Sequence, residues 1–235
     1  MRRTVGIGCF SEGFNDYGEN TTTVAVDVIR ATTTAVTGIT LGRRCFPVAT
    51  LDDAERLSHE LDDPLLVGEL GGEMPYGFDI TNSPAQLADR SDTERPMILL
   101  STSGTRLITS APSDVFVACL RNYEAQIREL VQHHPRTVLV GAGTRGEFRE
   151  EDQLCCAWIG AGLLAAGYEP IDEITTQVIG RWRDAPVDSF VTGKSTEYLR
   201  RTKQLRDLDF ILGHVNDLQE VFAYSHGEIT RVSPP

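Results

Sequence analysis

The chain has 235 residues, 40% hydrophobic and 24% charged, enough for one large α/β domain (1–235) with a sizeable core. Its net charge of -12 and pI near 4.8 argue against a nucleic-acid binder, which needs a basic face to neutralise phosphates. No apolar run approaches the roughly 20 residues of a membrane span, and Met1-Arg2-Arg3 leads into a short glycine-broken segment, not a signal peptide, so a cytoplasmic location is expected.

Thr4 to Phe10 reads as a short strand and Ser11 to Asn20 as a polar loop. Val24-Ala25-Val26 suits a buried strand, followed by Asp27, Arg30, the hydroxyl run Thr32-Thr33-Thr34 and a helix from about Ala35 to Leu41. Cys45 to Ala49 is a second short strand in that region, and Leu51 to Leu61 an amphipathic helix. Leu65 to Glu69 is a strand ending on an acid. Leu70 to Pro84 is too glycine-rich for an element and reads as a long shaped loop, with Asn82 or Ser83 capping a helix that has Pro84 at its first position. Met97 to Leu100 feeds Ser101-Thr102-Ser103-Gly104-Thr105-Arg106, the same layout of strand, small hydroxyls, arginine and helix.

Val115 to Ala118 and Thr137 to Val140 are further strands, separated by a helix over Asn122 to Val131. The second of them ends in Gly141-Ala142-Gly143-Thr144-Arg145-Gly146. Glu150-Glu151-Asp152 then opens a small-residue, apolar helix over Leu154 to Ala166. Beyond it the pattern weakens: a helix over Ser189 to Arg200, helix and loop to Leu212, and a short strand near Val221 to Tyr224. Strands alternating with helices predict a three-layer α/β/α architecture with a largely parallel sheet, a mixed one being the alternative. The cysteines, Cys9, Cys45, Cys119, Cys155 and Cys156, are odd in number and lack a Cys-x-x-Cys, so they read as buried free thiols.

Ligands of open α/β sheets bind at the strand ends. Arg30, Arg106 and Arg145 each follow a strand, and with the Thr and Ser hydroxyls around them they suit a multiply charged anion such as a phosphate ester with a further acidic group. Asp27, Glu69, Asp79, Glu151 and Asp152 occupy similar places. Asp27 ends a buried strand and needs either Arg30 or a metal ion. Paired carboxylates that keep some waters are how Mg²⁺ is usually held, whereas Glu151 and Asp152 equally suit a plain helix N-terminus. The signatures of cysteinyl-phosphate, phosphohistidine and aspartyl-phosphate chemistry are missing, as is a nucleotide-binding Walker loop. The five histidines have no metal spacing, and Lys194 and Ser195 form no recognisable dyad.

Asp27-Val28-Ile29-Arg30-Ala31-Thr32-Thr33-Thr34, Gly68-Glu69, Gly77-Phe78-Asp79 with Asn82-Ser83-Pro84, the Ser101 to Arg106 loop and the Gly143 to Asp152 segment together resemble the 2-phosphosulfolactate phosphatases, in that family's order over roughly residues 20 to 225. The chain departs from the family pattern at Ser103, Thr81 and Trp158. The resemblance implies a Mg²⁺-dependent hydrolase that converts 2-phosphosulfolactate to 3-sulfolactate and phosphate, a step towards coenzyme M. The expected metal ligands are Asp27, Glu69, Asp79 and Asp152. Asp27, Arg30, Glu151 and Asp152 are the expected catalytic set, and Arg30, Thr32, Thr33, Asn82, Ser83, Thr102, Ser103, Gly104, Thr105, Arg106 and Arg145 the expected substrate contacts. A homodimer is the default assembly. Two alternatives stand beside this reading: an anion-binding protein without turnover, and a phosphatase of a different small phospho-acid.

Overall fold

The structure is a computed structural model that describes residues 2–9, 20–111, 114–144 and 147–232. The loop expected over Ser11 to Asn20 falls almost wholly outside these residues, as does Arg145. Among the described residues ten strands form one sheet. They are β1 (Thr4–Cys9), β2 (Thr22–Val26), β3 (Cys45–Val48), β4 (Leu65–Gly68), β5 (Met97–Leu100), β6 (Val115–Ala118), β7 (Arg136–Gly141), β8 (Glu169–Pro170), β9 (Phe222–Ser225) and β10 (Glu228–Arg231). The helices are α1 (Ala31–Thr40), α2 (Leu51–Ser58), α3 (Pro84–Ala88), α4 (Gly104–Thr109), α5 (Tyr123–His133), α6 (Glu150–Ala165), α7 (Glu173–Trp182), α8 (Lys194–Arg201) and α9 (Leu205–Gly213).

The strand order is β4-β5-β3-β10-β9-β6-β2-β7-β1-β8. Each flank is parallel, but the β9–β10 hairpin joins them with three antiparallel pairings. The two parallel blocks therefore run in opposite senses. A hairpin reverses direction where a helical crossover would have preserved it, so the sheet as a whole is mixed while each block is parallel. The hairpin has the weakest sequence signal of any central strand pair, because its residues are only partly apolar and β10 has two exposed positions.

Alternating side chains divide the core between the sheet's two faces. Val24 and Val26 of β2 pack with α6 residues Leu154, Cys155 and Ile159 on one face. Ala25 of the same strand joins Val115 and Val117 of β6, Leu65 and Val67 of β4, and Met97 and Leu99 of β5 on the other. That second cluster also contains Ala35, Val36 and Ile39 of α1 and Leu107 and Ile108 of α4, so both blocks share one core around these helices. Ile98 and Leu100 of β5 turn the opposite way, to a smaller cluster with Ala54 of α2. Helices thus cover both faces, giving the α/β/α layering. All five cysteines are buried and none forms a disulfide among the described residues, where no helix is long and apolar enough to cross a membrane.

Local chemistry sets the element boundaries near the strand ends. α1 starts at Ala31, four residues before the helix expected at Ala35, because the threonine hydroxyls bond backwards. Thr32 Oγ1 donates to the Asp27 carbonyl at 2.8 Å and Thr33 Oγ1 to the Val28 carbonyl at 2.8 Å. α3 has the expected Ser83 cap, which accepts from Gln86 N, with Pro84 in its first turn. α7, which the pattern left undefined, begins at a capping Asp172 that accepts from Thr175 N at 2.7 Å. The helix expected over Ser189 to Arg200 is instead a 3-10 turn at Val187–Phe190 followed by α8.

Candidate active site

β2 is an interior strand of its block, flanked by β6 and β7 with Val26 opposite Ala118 and Gly141. Asp27 follows immediately and is buried. Its backbone N–H donates to Thr32 Oγ1, and its carboxylate accepts from Ala31 N. The carboxylate lies against Gly104, the first residue of α4, where a Cβ would overlap both the Asp27 Oδ2 and the Ala31 Cβ. Glycine here is what lets β5's loop approach Asp27.

Around Asp27 lies a pocket of about 330 Å³, at the small end for ligand sites. Its walls come from both sheet blocks and from α8, and they carry opposite charge. The acidic wall holds Asp27 and Glu69, with buried Glu151 and Asp152 behind them. Burial, first, and the nearby Glu69 raise the Asp27 pKa to about 7, against the opposing pull of the Ala31 N–H and Arg30. Burial, more than the charges of Asp27 and Glu150, raises Glu151 to about 7 although Ser195 hydrogen-bonds it. Asp152 is pushed well above the carboxylate range by burial and then by Asp27 and Glu151. Like charges gathered in a dry site hold their protons unless a cation arrives.

The other wall is basic. It carries Arg149, Lys194 and Arg201. Lys194, Tyr198 and Arg201 recur at i, i+4 and i+7 and so share one face of α8. Tyr198 also donates its hydroxyl to the Gly72 carbonyl, tying α8 to the glycine loop across the pocket.

The expected residues divide into three groups. Asp27, Arg30, Glu69, Asn82, Thr102 and Ser103 line the pocket. Thr32, Thr33, Ser83, Thr105 and Gly104 serve its framework: Ser101 and Thr105 exchange hydroxyl bonds with each other's backbone N–H at 2.9 Å, closing the β5–α4 turn. Asp79 and Arg106 lie outside the pocket lining. Asp79 accepts from Leu66 N at 2.8 Å and meets Arg95, while Arg106 is exposed on α4.

Among the described residues Arg30 is the one buried arginine of the pocket lining. It lines the pocket yet is buried and ion-paired to Asp207 of α9, with Gln204 Oε1 accepting from the same nitrogen. Asp207 in turn accepts from Ser83 Oγ and Ala85 N. The Arg30 charge is therefore already matched, whereas on the basic wall Arg149 and Lys194 share the single carboxylate of Glu147 and Arg201 has no acid partner among the described residues. Sequence reasoning missed Arg149, Lys194, Ser195, Tyr198, Arg201 and Asp207. The i, i+4, i+7 stripe on α8, containing one of the chain's only two lysines, was the available signal.

Most acidic oxygens near the pocket are already engaged. Glu69 accepts from Thr102 N, Thr102 Oγ1 and Gly72 N at 2.7–2.8 Å. Asp152 accepts from Val28 N at 2.8 Å and Gly143 N at 3.4 Å. Glu151 Oε2 is buried with no partner, and Asp27 has only one backbone donor to its carboxylate. No cluster of three or more His, Cys, Asp or Glu side chains forms a metal cage among the described residues. Two carboxylates with unspent oxygens nonetheless fit Mg²⁺, which is commonly held by one or two carboxylates with waters and a substrate phosphate.

Fold and site thus define an α/β protein with a two-signed pocket at its strand ends. The chain belongs to the 2-phosphosulpholactate phosphatase family, which matches residues 11–225. It is 37% identical over 154 residues to a protein of Pseudothermotoga lettingae named "Probable 2-phosphosulfolactate phosphatase", covering 65% of this chain and 63% of the relative. To the "2-phosphosulfolactate phosphatase" of Methanothermobacter thermautotrophicus it is 34% identical over 141 residues, 60% of each chain. A Synechococcus relative, also named "Probable 2-phosphosulfolactate phosphatase", is 29% identical over 195 residues, 79% of this chain and 80% of its own length. The matched segment thus spans less than two thirds of the first two of these relatives.

Proposed function

We propose that the chain hydrolyses a small phosphorylated acid with Mg²⁺, most simply 2-phosphosulfolactate to 3-sulfolactate and phosphate, the reaction of coenzyme M biosynthesis. The observation that carries the reading is the juxtaposition of buried, proton-retaining carboxyls with a basic wall across one small pocket. Such a site accommodates a cation and a polyanion together, which is what phosphoryl transfer from an acidic ester requires. The names of the relatives support the substrate.

Asp27 would hold the metal, which when bound would polarise the phosphoryl group and offset its charge. The chain's own groups do the remainder. The Ser103 backbone and the Asn82 amide supply donors at the pocket floor. Arg30, fixed by Asp207, presents a rigid guanidinium beneath the phosphoryl oxygens. A carboxyl with a pKa near 7 is suited to take a proton from attacking water and return it to the leaving alkoxide at neutral pH. Glu151, hydrogen-bonded to Ser195, is the group in that position. Water attack is preferred to an aspartyl-phosphate because Ile29 stands where the second aspartate of that signature would be.

The test is phosphate release from 2-phosphosulfolactate by purified protein with Mg²⁺ and with EDTA. Release that EDTA abolishes supports the proposal. Thermal stabilisation by the ligand without release under any divalent metal would reject hydrolysis in favour of the binding protein.

A further inference from the structure

We infer that Arg149 and Lys194, with Arg201 beside them, form a second anion subsite that reads the sulfonate of the substrate, and that Glu147 occupies it as a displaceable internal anion until the substrate arrives. The inference rests on the proposed reaction for its substrate and deepens it. Its foundation is geometric. Glu147 Oε1 and Oε2 lie 2.5 and 2.7 Å from Lys194 Nζ, and Oε2 lies 2.7 Å from Arg149 Nη1. One carboxylate therefore bridges two cations at the pocket wall. Arg201, exposed on the same face of α8, lines the pocket with no acid assigned to it among the described residues, so the wall keeps surplus positive charge.

One side chain shows that this wall awaits a ligand. Arg149 Nε is buried and has no partner. A buried donor left unsatisfied is costly, and an anionic oxygen relieves it. A sulfonate offers three such acceptors to the basic wall.

Glu147 is the right kind of group to be displaced. Its side chain is 49% exposed and that of Lys194 is 66% exposed. Ion pairs this open to water are worth little, so exchanging one anion for another costs little. A sulfonate stays ionised at every physiological pH, whereas a methyl group in its place would leave Glu147 where it is. The subsite thus selects esters carrying a second strong anion over those with only carboxylate and phosphate.

The experiment compares kcat/KM for 2-phosphosulfolactate and for 2-phospholactate, which has the same skeleton with a methyl group for the sulfonated carbon. Lys194→Met and Arg201→Met are expected to raise KM for the sulfonated ester about tenfold and to affect 2-phospholactate far less, collapsing the preference. Glu147→Gln is expected to act oppositely, lowering KM for the sulfonated ester roughly threefold. An equal loss on both esters from the lysine and arginine variants, or weaker binding by Glu147→Gln, overturns the subsite. A second readout separates this from failure of the proposed reaction: calorimetric binding of 3-sulfolactate and of lactate in EDTA. If no phosphate is released but 3-sulfolactate binds more tightly to Glu147→Gln and more weakly to Lys194→Met, the subsite stands and hydrolysis falls. If 3-sulfolactate and lactate bind alike, the subsite falls.

Discussion

The β2–α1 turn and the α8–α9 segment both build the pocket, and they do so by opposite means. The turn is self-contained. Thr32, Thr33 and Ala31 bond back to residues four or five positions earlier, and Asp27 is placed by the strand that precedes it. The α8–α9 segment is placed from afar. Tyr198 reaches Gly72, 126 positions away, and Asp207 reaches Arg30, 177 positions away. A site can therefore carry its acid on a locally encoded turn and its basic wall on helices that only the finished fold brings near.

The largest effect should come from breaking the local half. Asp27→Asn keeps the size and the Ala31 hydrogen bond but removes the charge. Phosphate release is expected to fall by about a thousandfold, equivalent to about 4 kcal/mol of barrier, in assays of folded protein. Unchanged release would detach Asp27 from the chemistry.

Breaking the long-range half should act first on stability. Asp207→Ala leaves Arg30 as an unpaired buried charge and removes the acceptor for Ser83 and Ala85 N. It should destabilise the protein by about 3–5 kcal/mol in urea titration. Asp207→Leu combined with Arg30→Met should recover much of that loss while abolishing activity. A double variant as unstable as the single would show that the pair's charge is not what Asp207 contributes.

Next in size is the pH response of the metal-free protein. Asp27 and Glu151 hold their protons to about pH 7, whereas unfolded carboxyls release them near 4. Between those values the folded state binds more protons, so stability must fall as pH rises through about 7. Asp92 works the other way: the Arg90 guanidinium holds its pKa below the carboxylate range, so its contribution is already complete above pH 4. A loss on the order of a few kcal/mol from pH 5 to 8 is expected in urea titrations with EDTA. Asp27→Asn should flatten that slope. A stability that rises over this window would mean the acids are not clustered as described.

The smallest effect separates α8 docking from α8 chemistry. Tyr198→Phe removes one hydroxyl bond to Gly72 and should cost about 1 kcal/mol, with a several-fold rise in KM and little change in kcat. A fall in kcat with KM intact would make Tyr198 part of the reaction itself.

This contrast explains how much was legible beforehand. Apolar runs such as Met97 to Leu100 and the buried helix after Glu150 have periods and lengths that identify them without a partner. The Ser83–Pro84 cap and the strand-end position of Asp27 were readable for the same reason. The strand arrangement was less so, since nothing in Glu228–Arg231 announces that a hairpin will enter between two parallel blocks. Arg30 and Arg106 illustrate the limit at the site. Both follow strands in a similar hydroxyl-rich setting, yet one is buried against Asp207 and the other is exposed. Which occurs depends on α9, nearly the whole chain away. Lys194 and Arg201 left only a weak signal, the i, i+4, i+7 stripe on α8, because surface helices carry such residues routinely.

The central claim is that the buried acids around Asp27 await a cation. Titration calorimetry of Mg²⁺ into the metal-free protein at pH 7, in two buffers of different ionisation enthalpy, tests it most directly. The account predicts a single site, a buffer-dependent heat reporting protons released as the carboxyls ionise, and no binding to Asp27→Asn. Equal Mg²⁺ binding by Asp27→Asn, or binding without proton release, would contradict it.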